Sequence, residues 1–286
     1  MERETKMRRK RLPKKQADGL LLLGGILLTM LFLFPLYWMV TTALRPPGES
    51  FSNPSFFPSR ICFDAFVLKN EHGVSLLTYL KNSIIVSVGA TLITLCLGVP
   101  AAYGLARFRS KLVSVMLFIF LVAQMLPSSL ILTPLFINFN KLGLINHHLS
   151  VMLSDATITI PFVVIILRSY FKDIPKELEE AAIIDGCGAF GTFMRVMLPI
   201  SYPGIVTAIS MSLFMAWGDM VFSLTFLNQE KLKTLPLILY KAMGELGVRW
   251  EILMAYSTVV VIPIVVIFVI MQKYIVSGLT AGSVKG

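Results

Sequence analysis

The sequence predicts an all-α integral membrane protein, a six-span helical bundle with a helix-turn-helix elbow on its cytoplasmic face. Three observations carry that expectation. Hydrophobic residues make up 56% of the 286 and charged residues only 15%, whereas soluble domains run at roughly 45–50% apolar and about 25% charged. Apolar stretches near the ~20 residues that a helix needs to cross the hydrocarbon core recur along the chain. The basic residues gather beside those stretches. The net charge of +10 therefore reads as a membrane-surface bias rather than a nucleic-acid footprint.

The first span is Leu20–Leu44, preceded by a basic N-terminus over residues 1–19 that holds Arg3, Lys6, Arg8, Arg9, Lys10, Arg11, Lys14 and Lys15. Its apolar run exceeds the roughly 7–15 residues of a signal-peptide core and no A-x-A site follows, so it reads as an uncleaved span. The second span is Leu80–Leu105 and the third runs from Leu112 to about Ile137. The link between them holds Arg107, Arg109 and Lys111. The positive-inside rule puts this link and the N-terminus in the cytoplasm. The fourth span is about Leu149–Tyr170, the fifth about Pro203–Leu227 and the sixth about Ile252–Gln272. An even number of spans returns the C-terminus to the cytoplasm. The membrane domain is thus 20–277, with a C-terminal tail over 278–286. Polar residues interrupt the third and fifth spans.

The link after the fourth span, about residues 171–199, is the longest cytoplasmic one and is acidic and punctuated. Asp173 reads as an N-cap and Pro175 as a first-turn residue whose missing N–H costs little. Glu177, Glu179 and Glu180 suit the positive end of a helix dipole. Gly186 and Gly188 then break the helix, and either can hold a positive φ. A second short helix, about Phe190–Met197, is expected to stop at Leu198-Pro199. Two readings stand: a passive surface connector, or a docking element for a cytoplasmic partner. The density of punctuation favours docking.

Chemistry-bearing motifs are sparse. No G-x-x-x-x-G-K-[ST] loop occurs, so the chain carries no phosphate cradle of its own. No nucleophile–base pair has local support. Cys62, Cys96 and Cys187 show no CxxC spacing, and the adjacent His147 and His148 read as loop residues, so neither a metal site nor a disulfide framework is expected. Asp219 reads as the one acid inside an apolar span, a placement that costs about 2.5–3.5 kcal/mol on insertion scales and usually faces a bundle interior or a wet path. A hydrogen bond to a neighbouring helix is the competing account. Gln124, Ser128, Ser129 and Thr133 in the third span either line a path or hydrogen-bond between helices, at roughly 0.6 kcal/mol each.

The residues Glu180-Ala181-Ala182, followed by Gly186, Val196 and Leu198-Pro199, resemble the signature loop of the permease subunits of binding-protein-dependent ABC importers. "IPKELEEAA" and "IDG" around it match as well. "FPLYWMVTTALRP" in the first span, Asn82-Ser83, "AAYGLARF" at the end of the second and the tail "GLTAGSVKG" are similar to the carbohydrate class, most of all to its maltose-type second permease subunit. Val196 stands where isoleucine is commoner, Ile183 where many relatives are basic, and Trp217-Gly218-Asp219-Met220 departs from Trp-Asn-Glu-Phe.

The resemblance implies a transport subunit rather than an enzyme: half of the pathway of an ATP-driven sugar importer in a bacterial or archaeal cell (inner) membrane. It implies that Glu180, Ala181, Ala182, Asp185, Gly186, Leu198 and Pro199 form the loop that couples to a separate ATPase. The tail residues Gly278, Leu279, Thr280, Gly282 and Lys285 would contact the same partner. Trp217 and Asp219, with Gln124 and Ser128, are the candidate pathway residues. The implied partners are a second, homologous permease, two ATP-binding subunits that hold the ATP, and an extracytoplasmic solute-binding protein. The long link Asn228–Trp250 would reach toward that binding protein, or simply cap the bundle. The alternative is a secondary carrier driven by an ion gradient. Such carriers favour internal repeats, broken midplane helices and buried ionisable pairs, against which Asp219 reads as isolated.

Overall fold

The computed structural model describes residues 14–49, 55–67, 73–108, 110–242 and 250–280. In chain order its α-helices are α1 Lys14–Ala43, α2 Asp64–Val67, α3 Leu76–Arg107, α4 Lys111–Met125, α5 Ser128–Lys141, α6 His148–Asp173, α7 Glu177–Ile184, α8 Ala189–Thr192, α9 Leu198–Ile200, α10 Tyr202–Trp217, α11 Val221–Phe226, α12 Leu235–Ala242 and α13 Trp250–Thr280. Among the described residues there is no strand. The helices α1, α3, α6 and α13 are long and apolar enough to cross a membrane, and two bent pairs raise the count to six when each pair is taken as one span.

Two breaks correct the sequence reading of the third and fifth spans. The third is two helices, α4 and α5, meeting at 99°. Pro127 is the cause. A residue before proline is driven out of the helical region, and Leu126 accordingly sits at ψ 128° and ends α4. In the fifth, helix ends at Trp217, Gly218 to Met220 form a break, and α11 resumes at Val221. At its other end, Ala189–Ile200 meets α10 at 78°.

The centre of the bundle is the pair α3 and α6. Small residues let their backbones approach: a Cβ on Gly89 would lie 2.5 Å from Met152 Sδ, and one on Gly98 would lie 3.2 Å from Val163 Cγ1. Val99, Ala102 and Leu105 of α3 pack with Val163, Val164, Leu167 and Phe171 of α6, and Ala208 of α10 joins them. Several hydroxyls along these helices bond back one turn, as Thr91 does to Ser87 O and Thr159 to Asp155 O, which pairs those donors inside the apolar core. Helix α1 lies apart. Its stretch from Leu21 to Phe34 is largely exposed and only its end is buried, where Ala43 meets Ala255 of α13.

At the end of the bundle where α6 begins, the segment after α11 is clamped down. Asn82 Nδ2 donates to the carbonyls of Lys231 and Lys233 at 2.8 and 2.9 Å, and Ser83 Oγ accepts from Leu235 N at 2.9 Å. Asn146, at φ 62°, accepts with Oδ1 from Asn228 N and Gln229 N. His148, read as a plain loop residue, bonds Leu232 O through its ring at 2.9 Å. These bonds account for Asn82-Ser83: the pair ties a distant segment to α3.

Candidate functional site

The opposite end of the bundle carries the elbow, and its local structure follows from four residues. Pro175 drives Ile174 to ψ 125°, which ends α6 at Asp173. Lys176 is the N-cap of α7, and Glu177, Glu179 and Glu180 occupy the first turn. This corrects the expectation that Asp173 caps the helix and that Pro175 lies inside it: α6 extends further than its apolar run, so Asp173 is its last residue. Gly186 closes α7 at φ +86°. Its N–H bonds Ile183 O at 3.0 Å and the Cys187 N–H bonds Ala182 O at 2.9 Å, the paired bonds of a Schellman cap. Gly188 takes an ordinary φ of −70° and starts α8.

The second arm does not stop at Leu198-Pro199. It passes through a π-helical turn, Phe193–Met197, into α9 and ends at Ser201. A proline has no N–H and its ring crowds the carbonyl four residues back, here that of Arg195. Widening the preceding turn, with Leu198 N bonded to Phe193 O, accommodates Pro199 without breaking the arm.

The elbow is fastened to the bundle. Arg107, at the end of α3, pairs with Glu179 of α7 and donates through Nη2 to Ile174 O at 3.3 Å. Tyr103 lies 5.5 Å from Phe171 and 4.9 Å from Phe193 between ring centroids. Ala182, Thr192 and Met197 face inward and are buried. The other face is apolar and open: Ile184 is 85% and Phe190 76% exposed, with Leu178, Ile183 and Met194 also exposed. Of the expected coupling residues, Glu180, Ala181, Asp185, Gly186 and Pro199 lie at the surface, while Ala182 is buried and Leu198 half-buried. Gly278, Leu279 and Thr280 form the end of α13, which continues beyond the expected start of the tail. Gly282 and Lys285 lie outside the described residues.

The expected pathway residues separate. Trp217 is buried and donates Nε1–H to Val260 O of α13 at 3.2 Å. Gln124 donates to Ile158 O of α6 at 2.8 Å, a bond between helices. Ser128 is half-buried at the start of α5, in the first turn after the Pro127 break. Asp219 sits in the break between α10 and α11 and accepts from Phe222 N and Ser223 N at 3.1 and 2.9 Å, capping α11. It is not the lone intramembrane acid. Asp155 of α6 is 6% exposed, and its Oδ2 is buried without a hydrogen-bond partner among the described residues. The sequence carries a signal for Asp155, a single acid between "VMLS" and "ATITIP", which the polar neighbours hide.

Broken helices are a feature that secondary carriers share, so the choice of transporter class rests on kinship. The family described as "Binding-protein-dependent transport system inner membrane component" matches residues 94–281. The diacetylchitobiose uptake system permease protein DasC of Streptomyces coelicolor is 34% identical, over 92% of this chain and 95% of its own. The trehalose/maltose transport system permease protein MalG of Thermococcus litoralis is 32% identical, over 93% and 96%. A crystal structure of a bacterial ABC transporter that imports the acidic polysaccharide alginate contains a chain of the same fold. Its TM-score is 0.77 at 22% identity, covering 92% of this chain and 99% of that one. The elbow lies wholly inside the matched region, and the ion-gradient alternative falls with it: the chain belongs to the family of inner membrane components of binding-protein-dependent transport systems, and is a transport subunit rather than an enzyme.

Proposed function

We propose that the chain forms half of the translocation pathway of an ATP-driven importer of sugars or oligosaccharides and couples that pathway to a separate ATPase through the elbow. The observation that carries the coupling is the pairing of an exposed apolar face, Ile183, Ile184 and Phe190, with a back face locked to α3 by Arg107 and Glu179. A passive connector needs neither. Clustered exposed apolar side chains mark a protein or membrane contact, the family resemblance favours a protein, and the attachment through Arg107 and Glu179 lets a push on the elbow reach α3 and α6. The relatives that transport diacetylchitobiose and trehalose or maltose support a saccharide as the substrate class.

A second, homologous permease completes the path, two ATP-binding subunits supply the ATP sites, and an extracytoplasmic binding protein delivers the solute. The elbow and both termini lie in the cytoplasm, a reading supported by the positive-inside bias of the basic residues before α1 and around Arg107. Closure of the ATPase dimer on ATP moves the elbow, and the bundle alternates access. The test is uptake of labelled oligosaccharides by vesicles holding the complete complex. Uptake that requires internal ATP and survives collapse of the ion gradients supports the proposal. Uptake that follows the gradient and ignores ATP overturns it.

A further inference from the structure

Beside the elbow is a cavity of about 650 Å³. It is an open cavity, lined by the end of α6, the start of the elbow, and Phe108 and Ser110 between α3 and α4. Among the described residues its charged lining is Arg107, Arg168, Lys172 and Lys176 against Asp173 and Glu177, four cations to two acids. Two of the cations are engaged: Arg107 with Glu179 and Ile174 O, and Arg168, whose Nε donates to Leu105 O at 3.0 Å. Lys172 and Lys176 are exposed and have no partner among the described residues.

We propose that this cavity binds the phosphate of an anionic lipid of the cytoplasmic leaflet. Depth supports it. Helix α6 has 26 residues, about 39 Å at 1.5 Å per residue, against a hydrocarbon core of about 30 Å. Centred on that core, the helix carries Lys172 past it to headgroup level at the elbow end, with Arg168 about one turn below. The wall also supports it. Helix α4 contributes Val113 and Ser114 to the lining while exposing Leu112, Val115, Met116 and Ile119, so a polar headgroup site adjoins an apolar surface. Charge completes it. Basic cavities between spans on the cytoplasmic side draw anionic headgroups, and an arginine already held in place presents its remaining N–H groups to phosphate oxygens at little further cost in order. Arg107 joins the cavity to Glu179 of the elbow, so the occupant bears directly on the joint.

The test uses the complete complex, in nanodiscs and in vesicles, with wild type beside the Lys172→Gln/Lys176→Gln double variant. Native mass spectrometry reads retained phosphatidylglycerol. Transport-coupled ATP hydrolysis is read as the ratio between vesicles with and without phosphatidylglycerol in phosphatidylcholine, so changes in basal rate cancel. Each basic residue near the surface contributes about 1 kcal/mol, so the double variant is expected to lose about tenfold or more in retained anionic lipid, and most of the activity ratio with it. Equal retention and an equal ratio in the two proteins overturn the proposal. Reproduction of the effect by inorganic phosphate in pure phosphatidylcholine overturns it in favour of a soluble anion. Loss of the ATPase from the variant in neutral lipid overturns it in favour of an acidic protein partner. None of these outcomes depends on which solute is carried.

Discussion

Gly186 and Gly188 are two residues apart and both open to solvent, with no atom crowding a Cβ at either, yet only Gly186 has a positive φ, +86°. Substituting it tests conformation alone. Gly186→Val puts a β-branched residue where the backbone cost is roughly 1–3 kcal/mol and is expected to release the Schellman cap. Gly188→Ala should stay within about 0.5 kcal/mol. Limited proteolysis of the elbow in the assembled complex separates them: faster cleavage in Gly186→Val only is the expected result, and equal cleavage rates would remove the glycine's assigned role. Asp219 makes a similar argument in the membrane. Its carboxylate accepts two backbone N–H groups of α11. Asp219→Asn retains an acceptor and should keep most ATP-dependent uptake without a new pH dependence, whereas Asp219→Ala removes a cap worth about 1 kcal/mol. A steep pH profile in the asparagine variant would point to proton coupling instead.

At the scale of elements, the question is what fastens the elbow to the bundle and the far segment to α3. Arg107 and Glu179 have side-chain exposures of 14% and 16%, so solvent screens the pair only in part. A double-mutant cycle with Arg107→Ala and Glu179→Ala, read by thermal unfolding of the solubilised complex, is expected to give a coupling of about 0.5–3 kcal/mol. A coupling near zero would mean that the aromatic contacts and the Arg107 bond to Ile174 O hold the elbow without the ion pair. Asn82→Ala removes both bonds to the carbonyls of Lys231 and Lys233 and should speed hydrogen exchange across 230–235 without altering the elbow. These fastenings were the least legible part of the sequence. Arg107 reads there as one more orienting charge, and its partner lies 72 residues on. Asn82-Ser83 could be quoted as a resemblance but not explained, because the groups it holds are backbone atoms of a segment brought near only by folding. What was legible was local: the glycine that needs a positive φ, the first-turn acids, the long apolar spans. Helix ends were misplaced where tertiary contacts extend a helix past its apolar run, as α6 does to Asp173. The third span divided where a single proline outweighed apolar continuity.

Across the whole molecule, the bundle has two differently built ends. One holds a segment to α3 by polar bonds from Asn82 and Ser83 and to the start of α6 by bonds from Asn146 and His148. The other presents an apolar elbow on a fixed base, with α3 and α6 running the length between them. That asymmetry suits a subunit that receives solute at one end and force at the other, and the central claim is that the elbow is where the force enters. The most direct test is co-purification of the ATPase with an Ile184→Glu/Phe190→Glu permease, with uptake measured on the same preparation. Both side chains are exposed and bury nothing in this chain, so the permease should remain in the membrane at wild-type abundance. The account predicts that the ATPase is lost or that ATP hydrolysis runs uncoupled from uptake. Full retention of the ATPase together with wild-type uptake would contradict it.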